Sequence, residues 1–117
     1  MKVDDLEGML LDYWVARAEG FTNTLKAFES SPVPYSVKWE YGGLIIEREH
    51  IDLSWHHETA RWGAAIDGWP QPNLSYDHAS SPSLLTAAMR SYVASKFGEE
   101  VPDSAIYAPQ ERADGEG

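Results

Sequence analysis

The chain has 117 residues, of which 43% are hydrophobic and 24% charged, the size and composition of one folded domain and well away from those of disordered chains. Its formal charge is −10 and cysteine is absent, so disulfides, thiolate metal sites and a cysteine nucleophile are excluded, and nonspecific binding to phosphate backbones is disfavoured. No stretch approaches the roughly 18 consecutive apolar residues that span a bilayer, and Met1 to Gly20 carries acids where a signal peptide would be basic and then apolar, so neither secretion nor membrane attachment is expected.

Asp4 and Glu7 stand at capping-box spacing, and Leu6, Met9, Leu10, Tyr13, Trp14 and Ala18 recur at three and four residues. A first helix is therefore predicted from Asp5 to Glu19, stopped by Gly20. From Phe21 to Pro34 the pattern loosens, and Ser30-Ser31-Pro32-Val33-Pro34 reads as a loop. Tyr35, Val37 and Trp39 then alternate with polar residues as a short strand, and Gly42-Gly43 permits a sharp turn. Leu44 to Arg48, His50 to Trp55 and Trp62 to Ile66 read as further strands, and Gly68 to Pro82 as a long surface loop. Ser81-Pro82 resembles a helix start, and Leu84, Leu85, Ala88, Met89, Tyr92, Val93 and Phe97 form one apolar face of a second helix, ended by Gly98. About half of the net charge follows Gly98, so residues 1–103 are expected to form the domain and residues 104–117 an acidic, flexible tail. The predicted fold is α+β: a central, mostly antiparallel sheet of about three to five strands packed by helices near both ends.

Five tryptophans and six tyrosines serve either core packing or stacking on a flat ligand. Trp14 and Trp62 have apolar periodic neighbours and read as core. Trp39, Trp55 and Trp69 lie beside polar or glycine-rich segments and are candidates for a ligand or an interface. The run Trp39-Glu40-Tyr41-Gly42-Gly43 offers rings beside exposed backbone N–H groups, although a plain β-turn explains the glycines equally well. Arg48 and Arg90 are either surface ion-pair partners or, if they converge, a bidentate grip on phosphate. Four histidines show no HExxH spacing, and His56 and His57 point to opposite sides of an extended chain, so no metal and no cofactor are expected. No GxSxG, SxxK or phosphate-loop pattern occurs, which makes catalysis the least favoured class. The candidate ligand-binding set is Trp39, Tyr41, Gly42, Gly43, Arg48, Trp69 and Arg90.

Three ordered blocks, Leu11 to Gly20, Gly42 to Glu49 and Leu85 to Val101, resemble the NinX-like family, a domain of unknown function carried by tailed phages and prophages. The resemblance covers about Leu10 to Asp103. It implies a phage accessory protein acting in the bacterial cytoplasm, where small phage proteins counter host defence by sequestering nucleotide-derived signals or by binding a host protein. The expectation is a non-catalytic protein that captures a small nucleotide-like ligand and self-associates, most simply as a dimer. The alternatives are a module that binds and inhibits a host factor and, third, a hydrolase of a nucleotide signal.

Overall fold

The computed structural model describes residues 1–22, 24–66 and 81–102. Its elements run in the order of a 3₁₀ turn at Val3–Asp5, helix α1 at Gly8–Ala18, α2 at Leu25–Ser30, α3 at Trp39–Glu49, strands β1 at Asp52–His56 and β2 at Arg61–Ala65, and helix α4 at Leu84–Phe97. The fold is α+β, as expected. The long loop from Gly68, with Trp69 on it, and the tail of residues 104–117 lie outside the described residues.

Helix α4 is the centre of the molecule. It packs on α1, on β2, on α3 and on the N-terminal 3₁₀ turn, and Ala87 to Ala94 are buried without interruption, so that stretch is enclosed on all sides, while Ser95 to Phe97 are exposed. Its cap lies two residues beyond the predicted one: Ser83 accepts from the Thr86 amide at 3.3 Å, while Ser81 accepts from the Ser83 amide at 3.0 Å. Gly98 ends it at φ +93°, a left-handed conformation that glycine adopts without steric cost.

Helix α1 starts later than predicted. Glu7 is the extended N-cap, with no capping hydrogen bond from its side chain, and Gly8 has φ +59°, which breaks the helix from the preceding 3₁₀ turn. Its stop is as predicted, at Gly20 with φ +107°. Leu6, Leu11, Tyr13, Val15, Met89 and Val93 are among the most deeply buried side chains. The two ends of the described chain are joined as well: the Val3 amide donates to Glu99 O at 2.9 Å and the Val101 amide to Met1 O at 2.9 Å.

The strand predictions hold for the hairpin and fail before it. Strands β1 and β2 pair antiparallel, with Trp55 opposite Trp62 and Asp52 opposite Ala65, and β2 is extended by a single bridge between Trp62 and Ser81. The sheet of the described residues therefore has two strands. Tyr35 to Glu40 and Leu44 to Arg48, predicted as strands around a glycine turn, instead form a turn at residues 35–37 and helix α3. The physical reason is burial periodicity. Gly42, Gly43, Ile45, Ile46 and Glu49 are the covered positions, and the four at 42, 45, 46 and 49 have a spacing of three and four that only a helix places on one face. His50 ends α3 in the left-handed region, at φ 54°.

Candidate functional site

The described residues among those singled out from sequence are not gathered at one place, and Trp69 lies outside the described residues. Gly42 and Gly43 lie within α3, where the Gly42 amide donates to Lys38 O at 3.0 Å and the Gly43 amide is past the first turn, so helix bonds consume the donors intended for a ligand. A Cβ on Gly43 would stand 3.0 Å from Trp39 Cε3, which puts the indole down along its own helix. Tyr41 meets Tyr35 edge to face, with centroids 6.4 Å apart. Trp39 and Tyr41 are exposed. Trp55 stands 5.4 Å from Trp62 and donates from Nε1 to His57 Nδ1 at 3.3 Å.

Arg48 is engaged by carboxylates. Its Nη1 and Nη2 donate to the two Glu19 oxygens at 3.1 and 2.5 Å, its Nε to Glu49 at 2.8 Å, and Nη2 also to the Tyr92 hydroxyl at 3.1 Å. Tyr92 in turn donates to Glu19. This ties the ends of α1 and α3 to α4 and occupies the guanidinium fork. Arg90 is buried, and its Nε donates to Leu6 O at 2.7 Å. Residues 90 and 92 lie about 200° apart around a helix, so Arg90 faces the N-terminal segment while Arg48 reaches α4 from the side of Tyr92. One phosphate cannot bridge the two.

This network sets part of the pH dependence. The hydrogen bond from Arg48 holds the Glu19 carboxyl below its ordinary range, against the opposing effect of burial. A depressed folded-state pKa stabilises above the unfolded value of about 4.3 and ceases to as pH falls through the folded value. Glu19→Gln is therefore expected to cost about 1 kcal/mol near neutrality, with the deficit shrinking in acid. Asp12 behaves oppositely. It is buried and accepts from the Ser36 amide at 2.8 Å, and desolvation raises its pKa. Its contribution is complete below the unfolded value of about 3.9 and is lost as pH rises through the folded one. Asp12→Asn keeps an acceptor for Ser36, so it is expected to match or exceed the wild type at neutral pH and to lose any advantage in acid. Urea midpoints of both variants across a pH series check the two signs.

A cleft of about 330 Å³ lies elsewhere, lined by Tyr13, Ala16, Arg17, Phe21, Ala27, Phe28, Ser31 and Val33. Its construction is local. The Phe21 amide donates back to Ala16 O at 3.0 Å, so the chain reverses at Gly20 and returns along α1. Thr24 then caps α2 by accepting from the Ala27 amide at 3.2 Å, and α2 lays Ala27 and Phe28 along the cleft. Phe28 meets Tyr13 edge to face at 5.9 Å. Arg17 is braced on α1: its Nη1 donates to the Tyr13 hydroxyl at 2.8 Å, and its Cζ lies 5.4 Å from the Trp14 ring centroid. Unlike Arg48, Arg17 has no carboxylate within ion-pair distance among the described residues. A cation beside aromatic walls, in so acidic a chain, is suited to a small anion with an apolar body.

Sequence reasoning found a loosened pattern from Phe21 to Pro34, with a loop at Ser30 to Pro34, and missed this cleft. Two signals were present. Thr24 precedes Leu25-Lys26-Ala27-Phe28 as a helix cap, and the residues three and four before Arg17 are Trp14 and Tyr13, which are not acids. Among the described residues, no three side chains of the metal-ligating types gather, and no helix is long and apolar enough to cross a membrane.

Comparison with known families gives a match over residues 2–96 to the family described as Bacteriophage P22, NinX. No curated protein matches the chain.

Proposed function

The chain belongs to the family of bacteriophage P22 NinX, and from that premise we propose that it is a phage-encoded accessory protein that captures a small anionic ligand without transforming it. The class of ligand put forward is a nucleotide-derived signal of host defence, withdrawn from its receptor by sequestration. The observation that carries capture is the Arg17 guanidinium, oriented by Tyr13 and Trp14 at the wall of an aromatic cleft and lacking a carboxylate partner among the described residues. Among the described residues, the lining contains no carboxylate, imidazole or thiol to move a proton, which favours holding over hydrolysis. Residues Arg17, Tyr13, Phe21 and Phe28 take the roles that the sequence reading gave to Arg48, Arg90, Trp39 and Tyr41.

The test is extraction. Protein purified from phage-infected cells is denatured, and the released small molecules are identified by mass spectrometry. Capture predicts an anionic compound released intact and near stoichiometrically. A compound recovered only as its cleaved product supports the hydrolase, and release of nothing contradicts capture.

A second reading, docking on a host protein, is favoured by one observation. Val37, Trp39, Tyr41 and Leu44 are 68, 57, 40 and 64% exposed within eight consecutive residues, a concentration of apolar surface at the start of α3. Self-association as a dimer would draw on the same patch, so substitution of Trp39 and Leu44 by serine separates these uses from the cleft: it removes docking and leaves ligand capture intact.

A further inference from the structure

Resting on the capture reading, we infer that the ligand of the cleft is a planar ring compound carrying a single anionic group, of the size of a nucleoside monophosphate or an aromatic acid, and not a dinucleotide. Volume is the first argument. About 330 Å³ is near the lower end of the roughly 300–1,000 Å³ spanned by small-molecule pockets, enough for one ring system and a short anionic arm. Two nucleotides would leave one of them in solvent.

Charge is the second argument. Among the described residues, the lining holds one cation, Arg17, in a chain whose formal charge is −10. One anionic group can sit against the braced guanidinium, whereas a second group held apart from it on the same ligand would lie beyond its reach in the repulsive field of the protein, with no other cation among the described lining residues. The form of the walls is the third. Tyr13, Phe21 and Phe28 present three aromatic side chains, while Ala16 and Ala27 are small, so the space is bounded by ring faces and edges that accept a flat guest. The Ser31 side chain at the same wall adds a hydroxyl that can donate to a ring nitrogen or a carbonyl.

Phosphate and carboxylate sources share this chemistry and are separated by the choice of probes. The full chain is titrated calorimetrically with adenosine 5′-monophosphate, indole-3-acetate and cyclic di-AMP, and the titrations are repeated with Arg17→Leu and Ala27→Trp. The expected result is one-to-one binding of adenosine monophosphate, of indole-3-acetate, or of both, with no binding of cyclic di-AMP. Arg17→Leu weakens that binding roughly ten- to hundredfold, as loss of a charge-assisted pair does. Ala27→Trp, at an exposed position of α2, fills the cleft and abolishes binding without unfolding the chain, so the conclusion does not depend on how well Arg17→Leu folds. Binding of cyclic di-AMP without either single-ring anion overturns the ligand class and leaves capture standing. Binding of none of the three overturns the ligand class, and the extraction experiment then decides capture separately.

Discussion

Gly42→Ala is expected to destabilise the protein by about 2 kcal/mol or more, while Gly43→Ala changes stability by no more than about 0.5 kcal/mol or raises it slightly. The difference lies in what each new methyl group would meet. At Gly42 it would stand 2.2 Å from the Tyr35 carbonyl oxygen and 3.0 Å from Leu85 Cδ2. Neither neighbour can yield cheaply. The Tyr35 carbonyl belongs to a turn pinned by the bond from the Ser36 amide to buried Asp12, and Leu85 is buried on α4. Overpacking of this kind costs about 1–3 kcal/mol, occasionally more, and exceeds the gain of roughly 1 kcal/mol that alanine brings to a helix interior. At Gly43 the close neighbour is the exposed Trp39 ring, which can swing away. A glycine turn would make the two positions comparably sensitive, so paired urea denaturation curves also distinguish helix from turn.

The second large effect is at Arg90. Arg90→Met keeps most of the side-chain volume and removes the donor to the buried Leu6 carbonyl. Loss of a hydrogen bond from a charged group at a buried acceptor costs about 1.5–3 kcal/mol, and burial gives little room for water to replace it. Asp4, Glu7 and Asp5 also favour the charged guanidinium, partly opposing the desolvation that lowers its pKa, and this contribution goes too. The expected loss is about 2–3 kcal/mol. Because Leu6 and Val3 pack beneath the same segment, amide exchange at Val3, which donates to Glu99 O at 2.9 Å, is expected to accelerate disproportionately. Uniform acceleration across the chain would show that Arg90 supports the whole core and not this junction.

Those two positions mark the boundary of what was legible in the sequence. Helices α1 and α4 declare themselves because their apolar residues recur at three and four positions and a positive-φ glycine ends each. The hairpin is legible through Leu53 and the flanking Ile51 and Ile66 and through the tryptophans that come to face each other at positions 55 and 62. The segment from Tyr35 to Arg48 misleads because two local signals, alternation at Tyr35-Val37-Trp39 and the run Leu44-Ile45-Ile46, favour strands, whereas Gly42 is there for close approach to the Tyr35 backbone. That need arises only from tertiary packing. Arg48 shows the same limit, since Glu19, which engages two of its nitrogens, is 29 residues away. Arg90, which reads from sequence as a surface ion-pair partner or a grip on phosphate, is a buried donor to the N-terminal segment. The cleft depends on a six-residue helix too short to register a period, and its arginine is distinguished by the lack of a carboxylate at ion-pair distance among the described residues, which local sequence hints at only through its aromatic helix neighbours.

On the capture reading proposed above, the cleft between α1 and α2 is where the ligand sits. The direct test is a titration of isotopically labelled full-length protein with adenosine 5′-monophosphate and indole-3-acetate, followed by nuclear magnetic resonance. Capture there is expected to place the largest shift changes on Arg17, Phe21, Ala27, Phe28 and Ser31, with intermolecular contacts from the ligand ring to Phe28. Changes centred on Val37, Trp39, Tyr41 and Leu44, or an unperturbed spectrum at saturating ligand, would contradict it.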